Sequence, residues 1–401
     1  MIVQKYGGSS VATAERIARV AERVAATARS SPVAVVVSAM GDTTDDLLGL
    51  LRQLNPDPPA REVDMLLAAG EQISAALLAS ALHARGVPAK ALLGWQAGLH
   101  TDGVHRKARI AGVDPTRVRA VLAEGAVPVV AGFQGLHAGE ITTLGRGGSD
   151  TTAVALAAAL GCPRCEIYSD VDGVYTADPR VVPSARRLDS VSYDEMMELA
   201  YLGAQVLQIR AVELAEAQRL VIVARSTFTD GPGTEIREVG PTESEMTVRG
   251  VAHTTHIAKV TIRGVPDRPG FAHRLFASLA GHGVNVDTIV QSAPREGRSD
   301  IVFTVSSDDL PRTIEVAREA AAEVGAEGAD ADEGVATVSV VGAGMVTRPG
   351  VAATMFGALA DAGINIQAIT TSEIKITCLV RESDVVAAAR AVHAAFGLDR
   401  A

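Results

Sequence analysis

The sequence predicts an α/β domain built on a mostly parallel sheet, followed by two smaller α+β units. Two observations support this class. Up to about residue 230, apolar runs suited to strands alternate with helical segments, which is typical of a parallel sheet sandwiched between helices. Farther along, Asp-Arg-Pro-Gly at 267–270 recurs as Thr-Arg-Pro-Gly at 347–350, and this offset of 80 residues indicates a duplicated small domain.

Local patterns predict the elements of the first domain. The valine-rich run at 33–37 suits a strand buried on both faces, and the segments 126–131 and 166–168 have the same character. Helical segments are predicted at 14–28, 62–84, 116–124 and 151–160. In such sheets, ligands bind at the carboxyl ends of the strands, and the glycine-rich turns of this sequence all follow strands.

The duplicated unit has the predicted order strand, helix, strand, strand, helix. The second copy stops just after its last helix, so it lacks the final strand of a βαββαβ unit. A strand-like segment at 247–253 is therefore predicted to cross over and complete the second sheet. The predicted domains are 1–235, a linker with the crossover strand at 236–256, a first small domain at 257–333 and a second at 334–401.

The composition favours an acidic globular protein of several domains. A chain of 401 residues exceeds the usual length of one domain, and a hydrophobic fraction of 47% supplies large cores. There are 37 basic and 47 acidic residues, which give a net charge of −10. This charge disfavours a protein that binds nucleic acid through bulk electrostatics.

Neither export nor a membrane span is expected. A strand with Lys5 stands where a secretory signal would lie, and the longer apolar stretches are interrupted before about 18 residues. Three cysteines do not form a disulfide framework, which fits a reducing cytoplasm. Cys162 and Cys165 form a CxxC without a second Cys/His pair at zinc-ligand spacing, so packing is favoured over a metal or redox role.

The first chemical motif is Lys-Tyr-Gly-Gly-Ser-Ser at 5–10, where the first strand ends and a helix follows. Glycines at such a turn let the backbone approach an anion closely, and a helix N-terminus offers free N–H donors. Lys5 adds a positive charge beside them. These features suit stabilisation of a transferring phosphoryl group, while the simpler alternative is an ordinary tight turn with a solvated lysine.

Two further motifs place polar groups near the same sheet edge. Ser38, Asp42 and Thr44 lie in a turn after the valine strand, and Asp42 or Thr43 is also suited to cap the next helix. Glu71 lies in an otherwise apolar helix, where a carboxylate needs a partner. That partner is either a structural cation or the amino group of a substrate.

The densest motif spans 142–152, where Arg146 stands between Gly145 and Gly147 and Asp150 lies near a helix start. An arginine offers a bidentate fork to a carboxylate or phosphate, while Asp150 either caps the helix or orients an attacking group. The segment 169–180 follows another strand and gathers an aromatic ring, several carboxylates and an arginine. Such a loop suits a nucleoside and its phosphates.

These motifs, in this order, resemble those of the aspartate kinases of the amino acid kinase family. The duplicated unit resembles the paired ACT domains that follow the kinase domain, and Gly-Asp-Thr-Thr-Asp at 41–45 is similar to the actinobacterial type. The resemblance covers nearly the whole chain. It implies the amino acid kinase fold, an αβα sandwich with a mostly parallel central sheet, followed by two ferredoxin-like ACT domains.

The resemblance also implies roles for individual residues. Lys5, Arg146 and Asp150 would be catalytic. The residues around L-aspartate would be Ser38, Ala39, Thr44, Glu71, Phe133, Arg146, Gly147 and Ser149. Those around ATP would be Lys5, Gly7, Gly8, Ser9, Ser169, Asp170, Tyr175, Asp178, Arg180 and Gln205. Mg²⁺ would bind mainly through ATP oxygens, so no protein metal site is predicted.

The implied reaction is phosphorylation of the aspartate side chain to 4-phospho-L-aspartate, the first step towards lysine, threonine and methionine. Threonine or lysine would be the effector. The implied effector contacts are Asp267, Asn285, Asp287, Gln291, Val351, Ala352, Asn365, Ile366, Ser372 and Glu373. A cytoplasmic homodimer or higher oligomer formed through the ACT domains is expected, and a separate regulatory chain starting at Met246 stays an open alternative.

The sequence departs from the family pattern in three places. Gln205 stands where a lysine usually reaches the nucleotide, and Gln208 and Ile209 replace the common His-Pro. Phe271 follows the first Pro-Gly in place of a polar residue, so it is expected to crowd the first effector pocket. These departures keep two rivals open, a kinase for a related acidic amino acid and an amino-acid sensor with an impaired kinase domain.

Overall fold

The computed structural model describes residues 1–204, 206–239, 247–346 and 348–400. The chain forms two compact units. The first comprises Met1–Val174 and Arg187–Gly240, and the second comprises Tyr175–Arg186 and Pro241–Ala401. The chain therefore leaves the first unit after Val174 and returns to it at Arg187.

The first unit contains twelve strands and seven helices within its described residues. The strands are β1 (Ile2–Tyr6), β2 (Val33–Val37), β3 (Ala89–Leu92), β4 (Leu99–Thr101), β5 (Ile110–Val113), β6 (Val127–Ala131), β7 (Gln134–His137), β8 (Glu140–Thr143), β9 (Arg164–Ser169), β10 (Ser190–Val191), β11 (Val221–Ser226) and β12 (Thr234–Ile236). The helices are α1 (Ala14–Ala28), α2 (Thr43–Leu54), α3 (Ala60–His83), α4 (Thr116–Ala123), α5 (Gly148–Leu160), α6 (Tyr193–Tyr201) and α7 (Ile209–Ala217).

The central sheet has eight strands in the order β10-β12-β11-β9-β1-β2-β6-β3, and only the β11–β12 pair is antiparallel. Helices α1 and α3 pack on one face, where Val20 and Leu78 join Tyr6 and Val35 in a buried cluster. Helix α5 packs on β1, β2 and β9. Because side chains alternate along a strand, Lys5 points away from the Tyr6 cluster, towards α5. The predicted sandwich with a mostly parallel sheet is confirmed.

Helix α1 and strand β2 have the predicted bounds, while α5 begins at Gly148, three residues before the predicted start. Sequence analysis expected a helix after the Ser38 turn without giving its bounds, and the structure places α2 there with none of its residues buried. Sequence analysis missed a separate four-stranded sheet, β5-β4-β7-β8, whose strands are only three or four residues long. Asp42 is the N-cap of α2, one of the two predicted candidates, although its side chain makes no capping bond and the Thr43 hydroxyl donates to Met40 O.

Helix α3 is the exception to the expectation that apolar stretches are too short to cross a membrane. It spans 24 residues and is apolar enough to pass that test by length and composition. Half of its most apolar window is buried within the protein, and the same helix buries Asp64 and Glu71. Its apolar character therefore reflects its place in the core of the first unit.

The second unit is an antiparallel sheet covered by helices. Its strands are β13 (Gly250–Pro266), β14 (Ile289–Gln291), β15 (Arg298–Ser306), β16 (Gly328–Val341), β17 (Ala368–Thr371) and β18 (Lys375–Arg381). Its helices are α8 (Phe271–Gly281), α9 (Leu310–Val324), α10 (Val351–Asp361) and α11 (Val385–Ala395). The strand order is β14-β15-β13-β16-β18-β17.

Strands β13 and β16 are long enough to serve both copies of the repeat. The start of β13, from Gly250 to Thr254, pairs with the part of β16 that opens the second copy. The rest of β13 pairs with β15 of the first copy. The copies also share backbone geometry, because Gly270 and Gly350 have φ angles of 99° and 100°. Each copy thus has a four-stranded sheet, and the strand before the first copy lies in the sheet of the second.

The segment Tyr175–Arg186 packs into the core of the second copy. Ala177 and Val182 are buried in the hydrophobic cluster that includes α10 and α11. The Thr176 carbonyl accepts a bond from Val251 N, and the Thr176 hydroxyl lies 2.9 Å from Nε2 of the buried His393. The predicted first domain, 1–235, includes this segment, whereas the structure joins it to the second unit.

Candidate active site

Four loops meet at one edge of the central sheet. They follow β9, β1, β2 and β6, which are adjacent and parallel, so their carboxyl ends lie side by side. Backbone bonds join the loops in turn: Gly7 N donates to Tyr168 O, Ser38 N to Tyr6 O, and Gly132 N to Val37 O, at 3.0 to 3.1 Å. The predicted chemical motifs therefore begin from a rigid platform.

A buried ion pair lies at the centre of this edge. Lys5 Nζ is 2.6 Å from Asp150 Oδ1, and both residues are less than a tenth exposed. Asp150 is the third residue of α5, so it is not the N-cap of that helix, which is Gly147. A Cβ added to Gly7 would stand 3.4 Å from Lys5 Nζ. The ammonium group therefore lies beside the Gly-Gly turn, as the phosphoryl-transfer interpretation requires.

The loops after β1 and β2 contact each other at Gly8. A Cβ on Gly8 would stand 3.0 Å from Ala39 O, and Gly41 N donates to Gly8 O at 3.1 Å. A larger residue at position 8 would push the two loops apart. The glycine pair is thus needed for close backbone packing as well as for access to a ligand.

Glu71 projects from α3 to the loop after β2. One of its oxygens, Oε1, accepts a bond of 3.0 Å from Ala39 N, while the buried Oε2 has no hydrogen-bond partner. Burial raises the pKa of Glu71 to about 7, against the opposing effects of the Ala39 bond and the Lys5 charge. Within the described residues, Glu71 forms no ion pair, so the structural-cation alternative loses support. A buried carboxylate oxygen without a donor suits a ligand that brings one.

Phe133 lies where the loop after β6 meets the start of α5. Its φ angle is +69°, a left-handed conformation that is strained for an aromatic residue. A Cβ on Gly132 would stand 2.8 Å from Ser149 Oγ, and one on Gly148 would stand 3.0 Å from the Phe133 ring. The structure therefore brings Phe133 and Ser149 together, and two glycines make this approach possible.

Arg146 lies exposed in the turn before α5, between glycines with φ angles of 78° and 69°. Among the described residues, Arg146 has no ion-pair partner, so its guanidinium is available to a ligand. A Cβ on Gly147 would overlap the side chain of Gln208, so this position requires glycine. Thr44 lies half-buried in the first turn of α2, which follows the Ser38 loop.

The residues predicted to bind the nucleotide are divided between the two units. Ser169 ends β9 in the first unit and Asp170 follows it, and the Ser169 hydroxyl accepts a bond from Val171 N. Tyr175, Asp178 and Arg180 belong to the second unit, where Arg180 and Asp178 form an ion pair of 2.7 Å. Gln205 lies outside the described residues.

The CxxC cysteines are buried free thiols. Burial raises the pKa of Cys162 and raises that of Cys165 further, so both thiols are poor nucleophiles. In the described part of the chain, His, Cys, Asp and Glu side chains form no group that is suited to hold a metal ion. These findings favour the packing role of the cysteines.

Two of the predicted effector residues, Asn285 and Asn365, occupy equivalent positions in the two copies of the repeat. Asn285 and Asn365 are both exposed just before the edge strands β14 and β17, which approach each other. Ala352 lies in the first turn of α10 and Gln291 ends β14, while the others lie in connecting segments: Asp267, Asp287, Ile366, Ser372 and Glu373. Phe271 and its counterpart Val351 are buried at the starts of α8 and α10. The Phe271 ring packs in the core of the first copy, and its crowding of an effector pocket stays a prediction.

Sequence analysis missed two residues that hold the Arg146 loop. Asp64 is fully buried in α3 and bonds to Thr143, and Arg210 donates to Leu144 O and Ala108 O. One available sign was the spacing of Asp64 and Glu71, since seven residues along a helix place two side chains on the same face. No comparable pattern marked Arg210.

Comparison with known proteins assigns the chain to a family. The model of the amino acid kinase family matches residues 1–225, and ACT-domain models match residues 260–322 and 338–396. The aspartokinase of Mycolicibacterium smegmatis is 51% identical over 406 residues, covering 99% of this chain and 96% of the relative. That of Geobacillus stearothermophilus is 48% identical over 402 residues, covering 99% and 97%.

The solved structures agree. E. coli aspartokinase III in complex with aspartate and ADP has a TM-score of 0.79 and 25% identity, with 98% of this chain and 99% of that chain covered. Its complex with lysine and aspartate has a TM-score of 0.76 over the same shares. The chain belongs to the amino acid kinase family. Within that family it is one of the aspartokinases, which carry a kinase domain followed by ACT domains.

Proposed function

We propose that this chain transfers the γ-phosphoryl group of ATP to the side-chain carboxylate of L-aspartate. The observation that carries this proposal is the buried Lys5–Asp150 pair at the carboxyl edge of the central sheet. Glu71 of α3 and the loops that carry Phe133 and Arg146 lie at the same edge. The pair places one positive charge beside a glycine turn, where an anionic phosphoryl group approaches. The full-length likeness to aspartokinases supports the same reaction.

In this reaction, an aspartate oxygen forms a bond to the γ-phosphorus while the bond to the bridging oxygen breaks and ADP leaves. The attacking carboxylate is already ionised near neutral pH, so no general base is needed. Catalysis then depends on positioning and on charge stabilisation. Lys5 neutralises charge on the phosphoryl oxygens, and Asp150 holds the Lys5 ammonium in place.

The residues proposed for the substrate distinguish its charged groups. Glu71 receives the α-ammonium group on its unpartnered Oε2, and the exposed Arg146 forms a bidentate bond with a carboxylate. Ser38, Thr44 and Ser149 supply hydroxyl groups around them. Glutamate is longer by one methylene, which is worth about 1–3 kcal/mol of discrimination in a fitted site.

For the nucleotide, we propose that Gly7, Gly8 and Ser9 contact the phosphates and that Ser169 and Asp170, in the same unit, line the site. Roles for Tyr175, Asp178 and Arg180, which belong to the second unit, stay predictions from the family resemblance. Mg²⁺ would bind mainly through ATP oxygens, because the side chains in the described part of the chain form no group suited to hold a metal ion. When bound, Mg²⁺ neutralises phosphate charge. The proposed domain bounds are those of the sequence analysis, except that Tyr175–Arg186 belongs to the second unit, with the β13 start as the crossover strand.

A coupled assay of ADP release tests the proposed function. The enzyme is supplied with ATP, Mg²⁺ and either aspartate, glutamate, N-acetylglutamate or no acceptor. Rapid ADP release with aspartate alone is the expected result. Release with another acidic acceptor would assign a related kinase, and no release with any acceptor would favour the amino-acid sensor.

We also propose that an amino-acid effector binds the ACT pair, with the two Asn residues as equivalent contacts. Replacing Asn285 or Asn365 by alanine is expected to weaken effector binding about tenfold, since each change removes a polar contact. Titration calorimetry with threonine and with lysine measures this. Asn55→Ala, an exposed change in the first unit, is the control. Binding that both substitutions leave unchanged would move the effector site elsewhere.

A further expectation concerns Gln205, which replaces a cation near the nucleotide in similar enzymes. Gln205→Lys is expected to lower the KM for ATP about tenfold, equivalent to about 1.4 kcal/mol for a restored charge-assisted contact. The turnover number should change little because Lys5 and Arg180 are intact. An unchanged ATP KM in a folded variant would indicate that position 205 does not contact the nucleotide.

For assembly, we propose a cytoplasmic homodimer or higher oligomer that pairs through the ACT sheets. The edge strands β14 and β17 expose Ile289 and Ile369, apolar residues at equivalent positions in the two copies. Sheet edges with exposed apolar residues favour association with another chain. Light scattering of the purified protein measures the oligomeric state.

A further inference from the structure

Asp64 is a buried carboxylate to which the proposed reaction gives no role. It lies on α3, two turns before Glu71, and is 0% exposed. Its oxygens accept bonds from Arg106 N at 3.0 and 3.1 Å and from the Thr143 hydroxyl at 2.5 Å, and His105 Nδ1 lies 2.7 Å away. A buried charge with this many donors is stable where it is and fixes the groups that donate to it.

The donors belong to two segments that are packed against each other. Thr143 ends β8, directly before the loop that carries Arg146, and its carbonyl accepts a bond of 3.0 Å from Ala108 N. A Cβ on Gly145 would stand 3.0 Å from Arg106 O. The segment around Arg106 therefore forms one wall of the Arg146 loop, and Asp64 bonds to both the wall and the loop base.

Two further observations show that the segment around Arg106 is stabilised by its bonds to other elements. Arg106 has a φ angle of +67°, a left-handed conformation that costs energy for any residue with a Cβ. Asp64 accepts the backbone N–H of this same residue. On the far side, the Arg210 guanidinium bonds to Leu144 O at 2.6 Å and to Ala108 O at 2.8 Å. The two segments are thus held at both ends, by a carboxylate and by a guanidinium.

We infer that Asp64 is a positioning residue for the Arg146 loop, acting through Thr143 and through the strained backbone of Arg106. Asp64 need not touch the substrate. It sets where the Arg146 guanidinium stands when the aspartate carboxylate arrives. The inference rests on the proposed function, in which Arg146 binds aspartate.

The test uses Asp64→Asn in the full chain. An amide keeps the volume but has one acceptor oxygen and a donating NH₂ group, so it cannot accept the bonds that the two carboxylate oxygens accept, and the loop and its wall loosen. The KM for aspartate is expected to rise about tenfold, while the KM for ATP stays within about twofold. Glu195→Gln is the matched control, because Glu195 is an equally buried carboxylate that caps α6. It should lower the melting temperature without changing the aspartate KM.

A second substitution separates positioning from general stability. Glycine adopts a φ of +67° without strain, so Arg106→Gly removes the need for Asp64 to hold that backbone. In the Asp64→Asn background, Arg106→Gly should restore part of the lost aspartate affinity. A carboxylate that only stabilises the fold would show no such recovery in KM.

The outcomes distinguish the inference from the proposed function. If the unmodified enzyme does not phosphorylate aspartate, the proposed function fails first. If it does, an aspartate KM unchanged in Asp64→Asn, or one that rises together with the ATP KM, overturns the inference alone. Should Asp64→Asn fail to fold, Thr143→Val supplies the test, because it removes one bond at nearly constant volume. Its aspartate KM should rise about threefold, and no rise would overturn the inference.

Discussion

Lys5→Met is expected to lower the turnover number by a factor of about 10²–10³, the usual loss when one preorganised charge-stabilising group is removed. Methionine has a similar length but no charge. The ammonium group lies 2.6 Å from Asp150 and beside Gly7, at the sheet edge where the phosphoryl group is proposed to move. Steady-state kinetics with saturating ATP and aspartate measure the loss. A variant that keeps its full turnover number would remove Lys5 from the mechanism.

The same substitution also tests stability, because it leaves the Asp150 carboxylate buried without its cation. Breaking a buried ion pair on one side costs about 3–5 kcal/mol. The double variant Lys5→Met with Asp150→Asn removes both charges, so much of the stability should return while activity stays lost. Chemical denaturation of the two variants separates the catalytic role of Lys5 from its structural one. Equal stability of both variants would show that the buried Asp150 carboxylate does not depend on the Lys5 charge for its stability.

Glu71→Gln is expected to raise the KM for aspartate far more than the KM for ATP. The substitution keeps the bond that Ala39 N donates but removes the charge that faces the substrate ammonium group. Losing a charge-assisted bond costs about 1.5–3 kcal/mol, or roughly a 10- to 100-fold rise in KM. Glu166→Gln is the control, since Glu166 is also buried but is paired with Arg225. Equal effects on both substrates would mean that Glu71 has a structural role.

The pH dependence of Glu71 gives a second, independent measurement. The pKa of Glu71 is about 7 in the folded protein and has the ordinary value of 4.5 in an unfolded chain. Aspartate requires the ionised form, so kcat/KM for aspartate should fall as the pH drops below about 7. In Glu71→Gln this acidic limb should be absent.

The same pKa shift predicts the direction of the stability change. A carboxyl whose pKa is raised by folding favours the folded state at low pH. That contribution is complete below pH 4.5 and is lost as the pH rises through about 7. Above pH 7, the ionised Glu71 costs the fold about 3 kcal/mol. Glu71→Gln should therefore gain stability over the unmodified protein at pH 8 but not at pH 4, which denaturation at the two pH values measures.

Much of the site was predictable because its motifs are local. Each motif can be recognised from a few neighbouring residues, as with the glycine pair, the lysine at a strand end and the arginine between glycines. The parallel sheet then brings these turns together, since the carboxyl ends of its strands share one edge. Short strands such as β4 were missed, because three residues leave too little periodicity to detect.

By itself, the sequence determined the alternating strands and helices, the duplicated C-terminal unit and the order of the motifs, all of which depend on neighbouring residues. The tertiary structure decided which partners distant residues find. Asp64 and Thr143 are 79 positions apart, and Thr176 and His393 are 217 apart. No local pattern encodes such bonds. They exist because packing of the sheet, helices and long loops places buried polar groups within reach of each other, and burial makes each of those groups require a partner.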